Sequence, residues 1–314
     1  MGQPAIAVLG AGAMGANHAR VIAEHPGADL GLVVDTDEGR ARAVAEANGA
    51  KWSLDAADAL DYDGVVVAVP TEHHLAVARP LIEAGCPVLV EKPVALTLAE
   101  AQALVDLATE RGVPLLCGFV ERFNPVVRTA LELLDEQPVH FVALRHSPAN
   151  TRSTVSVVQD LLIHDIDLAL RFGAHDHVSE VHATRRCPSN ATVDEIADCS
   201  LAFAGGMMAT LSASRAGQRK LRTVFVTAPD QVFELDLLRQ DLTIYRHVYD
   251  DITFSGAKGY QADTIVDIPF IRHAGEPLAL QFGYFLDLVG GRADPEREWA
   301  TILAPHAVAE LVEA

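Results

Sequence analysis

Apolar and polar positions alternate in two different ways along the chain. From residue 5 to about residue 118, short all-apolar runs are separated by longer segments in which apolar residues recur every three or four positions. The runs 5–9, 30–34, 65–69, 87–90 and 113–118 read as strands. Residues 65–69 are apolar throughout, as expected of a strand covered on both faces. Helices are predicted from the glycines after Leu9 to about His25, over 38–48 with Gly49 as stop, over 72–84 and over 97–111. Pro80 should kink or interrupt the third of these. Thr97 followed by Glu100 is a capping-box signature, and Gly112 ends the fourth helix. Strands alternating with helices predict a parallel sheet with right-handed crossovers.

The pattern changes after Glu121-Arg122-Phe123-Asn124-Pro125. A helix over about 126–136 leads into extended segments at 139–146, 180–186, 197–203, 207–213, 223–228, 231–237 and 241–248. One helix, 158–172, lies between the first two. Ala204-Gly205-Gly206 reads as a hairpin turn, and helices are expected at 276–289 and 304–313. The fold class is therefore α/β: an N-terminal Rossmann-type doubly wound parallel sheet, residues 1–120, and a C-terminal α+β domain, residues 121–314, with a large, mostly antiparallel open sheet. The second domain is expected to bind substrate and to form a homodimer or homotetramer through the uncovered sheet face.

Composition narrows the function. The formal net charge of -19 over 314 residues excludes a generic nucleic-acid or anionic-membrane binder, which needs a basic footprint. It leaves room for a small anion held by a few arginines or a helix N-terminus. No apolar run approaches the ~20 residues of a membrane span, and the first residues lack a leader pattern, so a cytoplasmic location is expected. Cys86, Cys117, Cys187 and Cys199 form no C-x-x-C pair and read as reduced thiols. His73-His74 and His175-Asp176-His177 have no matching third ligand, so no metal is expected.

Candidate chemistry begins at Gly10-Ala11-Gly12-Ala13-Met14-Gly15, between a strand and a helix. Gly10 permits the tight turn, Gly12 the close approach of a pyrophosphate, and Gly15 close packing of helix on strand. Asp35 ends the second strand about 20 residues on, where an acid binds a ribose 2′-hydroxyl. Its charge would repel a 2′-phosphate, so NAD is preferred to NADP. Arg40 lies a helical turn inward.

Val69-Pro70-Thr71-Glu72-His73-His74, Glu91-Lys92-Pro93 and the D-x-x-x-H-x-x-D segment from Asp160 through His164 to Asp167 resemble the hallmarks of the Gfo/Idh/MocA oxidoreductase family. The segment Gly118–Pro125, Arg152 and 160–168 resemble the branch containing UDP-N-acetylglucosamine 3-dehydrogenases, although 151–159 is less acidic than that branch's pattern. The resemblance implies that Pro70, Thr71, His74, Glu91 and Lys92 line the cofactor together with Gly10, Gly12, Ala13, Met14, Gly15 and Asp35. It also implies a Lys92–histidine pair at the reacting hydroxyl and a cis bond before Pro93.

Oxidising a secondary alcohol needs a base at the hydroxyl and a hydride acceptor. His164 is the candidate base, because imidazole titrates near neutrality. On a helix, Asp160 at i−4 and Asp167 at i+3 would share its face and orient the ring. Lys92 ends a buried strand at the carboxyl edge of the sheet, where it would stabilise developing alkoxide. Arg122, Phe123 and Asn124 are expected at the substrate pocket. Arg145 and Arg152 are candidates for a diphosphate, because a guanidinium binds phosphate through two bonds. Tyr245, Tyr249 and Tyr260 are expected to fill the sheet. The expected activity is an NAD-dependent dehydrogenase acting on a secondary hydroxyl, C3, of a UDP-linked amino sugar. The alternatives are a free sugar or cyclitol as substrate, or a non-catalytic NAD-binding protein. A short-chain dehydrogenase is disfavoured because no Tyr-x-x-x-Lys occurs.

Overall fold

The computed structural model describes residues 2–148, 155–189, 191–254 and 257–314, with backbone alone for 249–254 and 257–262. The chain forms two compact units. One comprises Met1–Phe123 and Gly275–Glu310, the other Asn124–Ala274 and Leu311–Ala314.

The first unit alternates β1 (Ala5–Leu9), α1 (Ala13–Glu24), β2 (Asp29–Val34), α2 (Glu38–Ala47), β3 (Lys51–Ser53), β4 (Gly64–Val67), α3 (His74–Glu83), β5 (Val88–Val90), α4 (Leu98–Arg111) and β6 (Leu115–Cys117). The six strands pair in parallel in the order β3-β2-β1-β4-β5-β6. The order reverses between β1 and β4, and ligands bind outside the carboxyl ends of such a switch point. Thr97 and Glu100 form the expected capping box on α4. Two departures are local. β3 is too short and too exposed at Lys51 and Trp52 to show a strand period. α3 runs through Pro80, after a 3-10 turn at Thr71–His73.

A larger departure concerns the domain boundary. The chain returns to the first unit after residue 274, through α7 (Pro277–Val289) and most of α8 (Pro295–Glu313). Phe282, Phe285, Leu286 and Leu288 belong to the same apolar core as Ile6, Val8, Ile22 and Val33. The Val94 amide donates to His306 Nε2 at 2.9 Å. The division at 120/121 therefore undercounts the first unit. Pattern alone locates α7 but not the sheet that it covers.

The second unit holds α5 (Pro125–Leu133), β7 (His140–Pro148), α6 (Ile163–Phe172), β8 (Val178–Arg186), β9 (Ile196–Phe203), β10 (Met208–Gly217), β11 (Leu221–Ala228), β12 (Gln231–Asp236), β13 (Asp241–Phe254) and β14 (Ala257–Asp267). They form one eight-stranded sheet in the order β14-β13-β12-β11-β7-β10-β9-β8, antiparallel except where β7 pairs with β10. Phe141, Ala143 and Arg145 of β7 are buried, while Val142, Leu144 and His146 on the opposite face are half-buried. α6 covers the buried face, with Phe172 against Phe141 at 5.6 Å between ring centroids. β14 and the second half of β13 lie beyond the strands expected from the sequence.

Candidate active site

In the first unit, the glycine turn has the geometry a pyrophosphate needs. Gly10 sits at φ +96°, and a Cβ there would lie 2.5 Å from the Ala68 carbonyl oxygen. A Cβ on Gly15 would meet the Gly10 oxygen at 1.7 Å, so helix and strand touch through glycine. At Gly12 a Cβ would meet nothing, and Gly12, Ala13 and Met14 are exposed. Gly12 caps α1 without a side chain, and the first turn carries no acid. An uncapped helix N-terminus with no acid in its first turn suits an anion.

Asp35 closes this site. Its Oδ2 accepts from the Ala11 amide at 2.8 Å, and its Oδ1 from the Asp37 amide at 2.8 Å. Arg40 also reaches back, donating from Nη2 to Asp35 Oδ1 at 2.8 Å. Burial pushes the Asp35 carboxyl up, but the Arg40 bond and the two amides outweigh it and hold it below the usual carboxylate range. An ionised acceptor at a strand end is what a ribose diol requires.

Lys92 follows β5 and its bond to Pro93 is cis. The preceding Glu91 is buried. It pairs with fully buried His18 of α1, Nε2 to Oε1 at 2.7 Å, and its Oε2 accepts from the Lys92 amide at 3.3 Å. Burial raises the Glu91 carboxyl, yet His18 and the Lys92 charge outweigh it and keep it low. Gly118 lies against this pair, since a Cβ there would stand 2.9 Å from Glu91 Oε2. Glu91 thus ties the backbone that carries Lys92 to α1. His18 was not singled out in the sequence. Its signal was a polar residue in the buried stripe Gly15, Ala19, Ile22 of α1.

Several residues expected at the ligands make contacts within the protein. His74 is buried, with Nδ1 2.8 Å from the Pro93 oxygen and Nε2 2.9 Å from the Val69 oxygen. It ties the loop after β4 to the loop after β5, and burial lowers its pKa. Pro70 is exposed and Thr71 half-buried in the adjoining turn. Arg122 is buried against α8, donating to Glu298 Oε2 at 3.2 Å and Thr301 Oγ1 at 2.9 Å, with its Cζ 4.7 Å from the Phe119 ring centroid. Phe123 rests on Tyr284 at 5.6 Å. These contacts hold Arg122 and Phe123 within the first unit.

In the second unit, Asn124 caps α5, accepting from the Val126 amide and donating to the Leu237 oxygen at 3.1 Å. Arg145 is buried and bidentate on Asp165, Nε to Oδ2 at 2.9 Å and Nη2 to Oδ1 at 2.8 Å. Its fork is closed on Asp165 inside the unit. Asp165 immediately follows His164, so the pair anchors the turn of α6 that carries the imidazole. The inward alternation Phe141, Ala143, Arg145 already called for an acid opposite.

Asp160 lies in a π-helical turn, Val158–Leu162, just before α6. The i→i+5 bonding there removes the i−4 alignment of Asp160 with His164 assumed for an α-helix. Its Oδ2 accepts from Arg215 Nη1 at 3.1 Å. Arg215, nearly fully buried, also holds Glu195 and the Val155 and Asp194 oxygens. It occupies an inward position after Ala209, Leu211 and Ala213 of β10, a signal available in the strand period. His164 is buried, and Asp167 sits on α6 3.9 Å from Arg171 Nε. Arg152 lies outside the described residues, as do the side chains of Tyr249 and Tyr260. Tyr245 donates to Glu234 within the sheet at 3.0 Å. Among the described residues no group of three or more His, Cys, Asp or Glu is arranged for a metal ion, and no helix is long and apolar enough to cross a membrane.

Two family models match the chain: the oxidoreductase family with an NAD-binding Rossmann fold over residues 5–119, and the GFO/IDH/MocA C-terminal domain over residues 139–231. UDP-N-acetylglucosamine 3-dehydrogenase of Acidithiobacillus ferrooxidans is 31% identical over 278 residues, covering 87% of this chain and 82% of that protein. A solved structure of that enzyme has a TM-score of 0.86 at 27% identity, covering 99% of this chain and 97% of the other. An NAD(+)-dependent scyllo-inositol 2-dehydrogenase of Bacillus subtilis is 28% identical over 310 residues, covering 92% and 87%. With both of its units matched and its glycine turn shaped for a dinucleotide, the chain belongs to the Gfo/Idh/MocA family of NAD-binding oxidoreductases.

Proposed function

We propose that this oxidoreductase transfers hydride between NAD and the C3 hydroxyl of a UDP-linked amino sugar. The observation that carries the reading is the likeness to UDP-N-acetylglucosamine 3-dehydrogenase, which extends over both units and not the NAD-binding unit alone. Gly10, Gly12, Ala13, Met14 and Gly15 would hold the pyrophosphate, and Asp35 the adenosine ribose, with Pro70 and Thr71 beside them. Bound NAD supplies the hydride acceptor. The chain's own residues manage the proton and the developing charge. Lys92 hydrogen-bonds the reacting oxygen and stabilises alkoxide character. His164 accepts the hydroxyl proton and passes it to solvent. The Arg145–Asp165 pair holds the helical turn bearing His164, and Asp160, held by Arg215, sits one turn before it.

A second reading, oxidation of a cyclitol, is supported by the likeness to scyllo-inositol 2-dehydrogenase. The two separate in a panel of UDP-sugars, dTDP-sugars, free sugars and inositols, followed by NADH formation. Turnover of UDP-N-acetylglucosamine or a close analogue, with a 3-keto product, is expected. Turnover confined to inositols would overturn the first reading. The half-exposed sheet face, with Met208 and Val266 more than half exposed, supports assembly into a homodimer or homotetramer.

A further inference from the structure

A cleft of about 230 Å³ opens in the second unit, lined by Arg219, Lys220, Leu221, Arg222, Asp236, Leu238 and Arg239. Four of its seven lining residues are cationic and one is acidic, whereas the chain has 24 Lys and Arg against 43 Asp and Glu. Such a local reversal of sign concentrates anions from solution. The single acid is partly exposed but is engaged by the backbone and by Arg239. Asp236 Oδ1 accepts the Leu238 and Arg239 amides, both at 3.0 Å, and so shapes the turn that presents Arg239. Arg239 Nε stands 3.9 Å from Asp236 Oδ2, and its side chain is largely exposed. Arg219 and Lys220 are exposed on the segment that enters β11. The Leu237 amide donates to the Arg222 oxygen at 2.9 Å and joins the two walls.

The position of the cleft connects it to the proposed chemistry. Arg222 is the register partner of Arg145 across β11 and β7, about 5 Å between Cα atoms. Both project to the helix-covered face, on the same alternation as Val224 and Ala143. Arg145 in turn grips Asp165, the neighbour of His164. One strand spacing therefore separates the basic cleft from the arginine that anchors the His164 turn. A volume below the roughly 300–1,000 Å³ of drug-sized ligand pockets suits a compact anionic group and not an entire nucleotide sugar.

We infer that this cleft binds the diphosphate of a nucleotide-linked substrate through Arg219, Lys220, Arg222 and Arg239. The inference rests on the nucleotide-sugar reading for its biological ligand, while the anion site itself stands on the geometry of the second unit.

The test uses the full chain, its Lys220→Ala/Arg239→Ala double variant and an Arg239→Glu variant, with far-ultraviolet circular dichroism and NAD binding as folding controls. Calorimetry with inorganic pyrophosphate, and separately with UDP and with uridine, should show pyrophosphate and UDP binding the wild type. Both should weaken about tenfold or more in the variants, with a shallower salt dependence, while uridine is insensitive to them. The KM for a UDP-sugar should rise by a similar factor. Equal pyrophosphate and UDP affinity in wild type and variants would overturn the inference, even if UDP-sugars are turned over. Variant-sensitive pyrophosphate binding without turnover of any UDP-sugar would support the anion cleft and overturn the nucleotide-sugar reading.

Discussion

At the scale of single residues, much of the chemistry depends on how charged side chains are held. Asp35 is kept ionised by Arg40 and two amides, and the same contacts aim it at the glycine turn. A hydroxyl bond to a charged acceptor contributes about 1.5–3 kcal/mol. Asp35→Ala should therefore weaken NAD by about tenfold to a hundredfold in a fluorescence titration. The same change releases Arg40 from its partner, so NADP should lose less affinity than NAD, or gain. Unchanged affinity for both cofactors would remove Asp35 from the site. Buried pairs follow a different logic. Glu91 with His18 and Arg145 with Asp165 sit where an unpaired charge would be costly, so each partner is needed to hold the other in place.

At the scale of elements, the legible parts were those with a strong period. The first sheet was readable because β1, β4 and β5 are apolar at nearly every position, and the capping box of α4 was readable from Thr97 and Glu100. β3 and β14 were not readable, because short or polar edge strands lack the alternation that burial imposes. The π turn at Val158–Leu162 was also hidden. Its composition suits an α-helix, and its bonding is decided by the packed surroundings of Arg215 and α6. For the candidate site, the glycine turn, Asp35, Lys92 and His164 were visible as residue types in the right order. Which arginine meets a carboxylate and which meets a ligand was not, since that depends on strand register. The sequence did not show that Arg122 and Arg145 would meet Glu298 and Asp165, 176 and 20 residues away.

At the scale of the whole molecule, the second unit must do two jobs with one sheet: one face carries α6 and its histidine, and the other is left half-exposed. Light scattering should therefore report a dimer or tetramer, and a monodisperse monomer at working concentration would contradict the proposed assembly. The central proposal is that Lys92 and His164 are both required for oxidation of the substrate hydroxyl. Its most direct measurement compares steady-state oxidation of the preferred UDP-sugar by wild type, Lys92→Ala and His164→Ala, with NAD binding titrated in parallel. Each variant should bind NAD and lose about 10²–10⁴-fold in kcat. Turnover near the wild-type rate in either variant, with cofactor bound, would contradict the account.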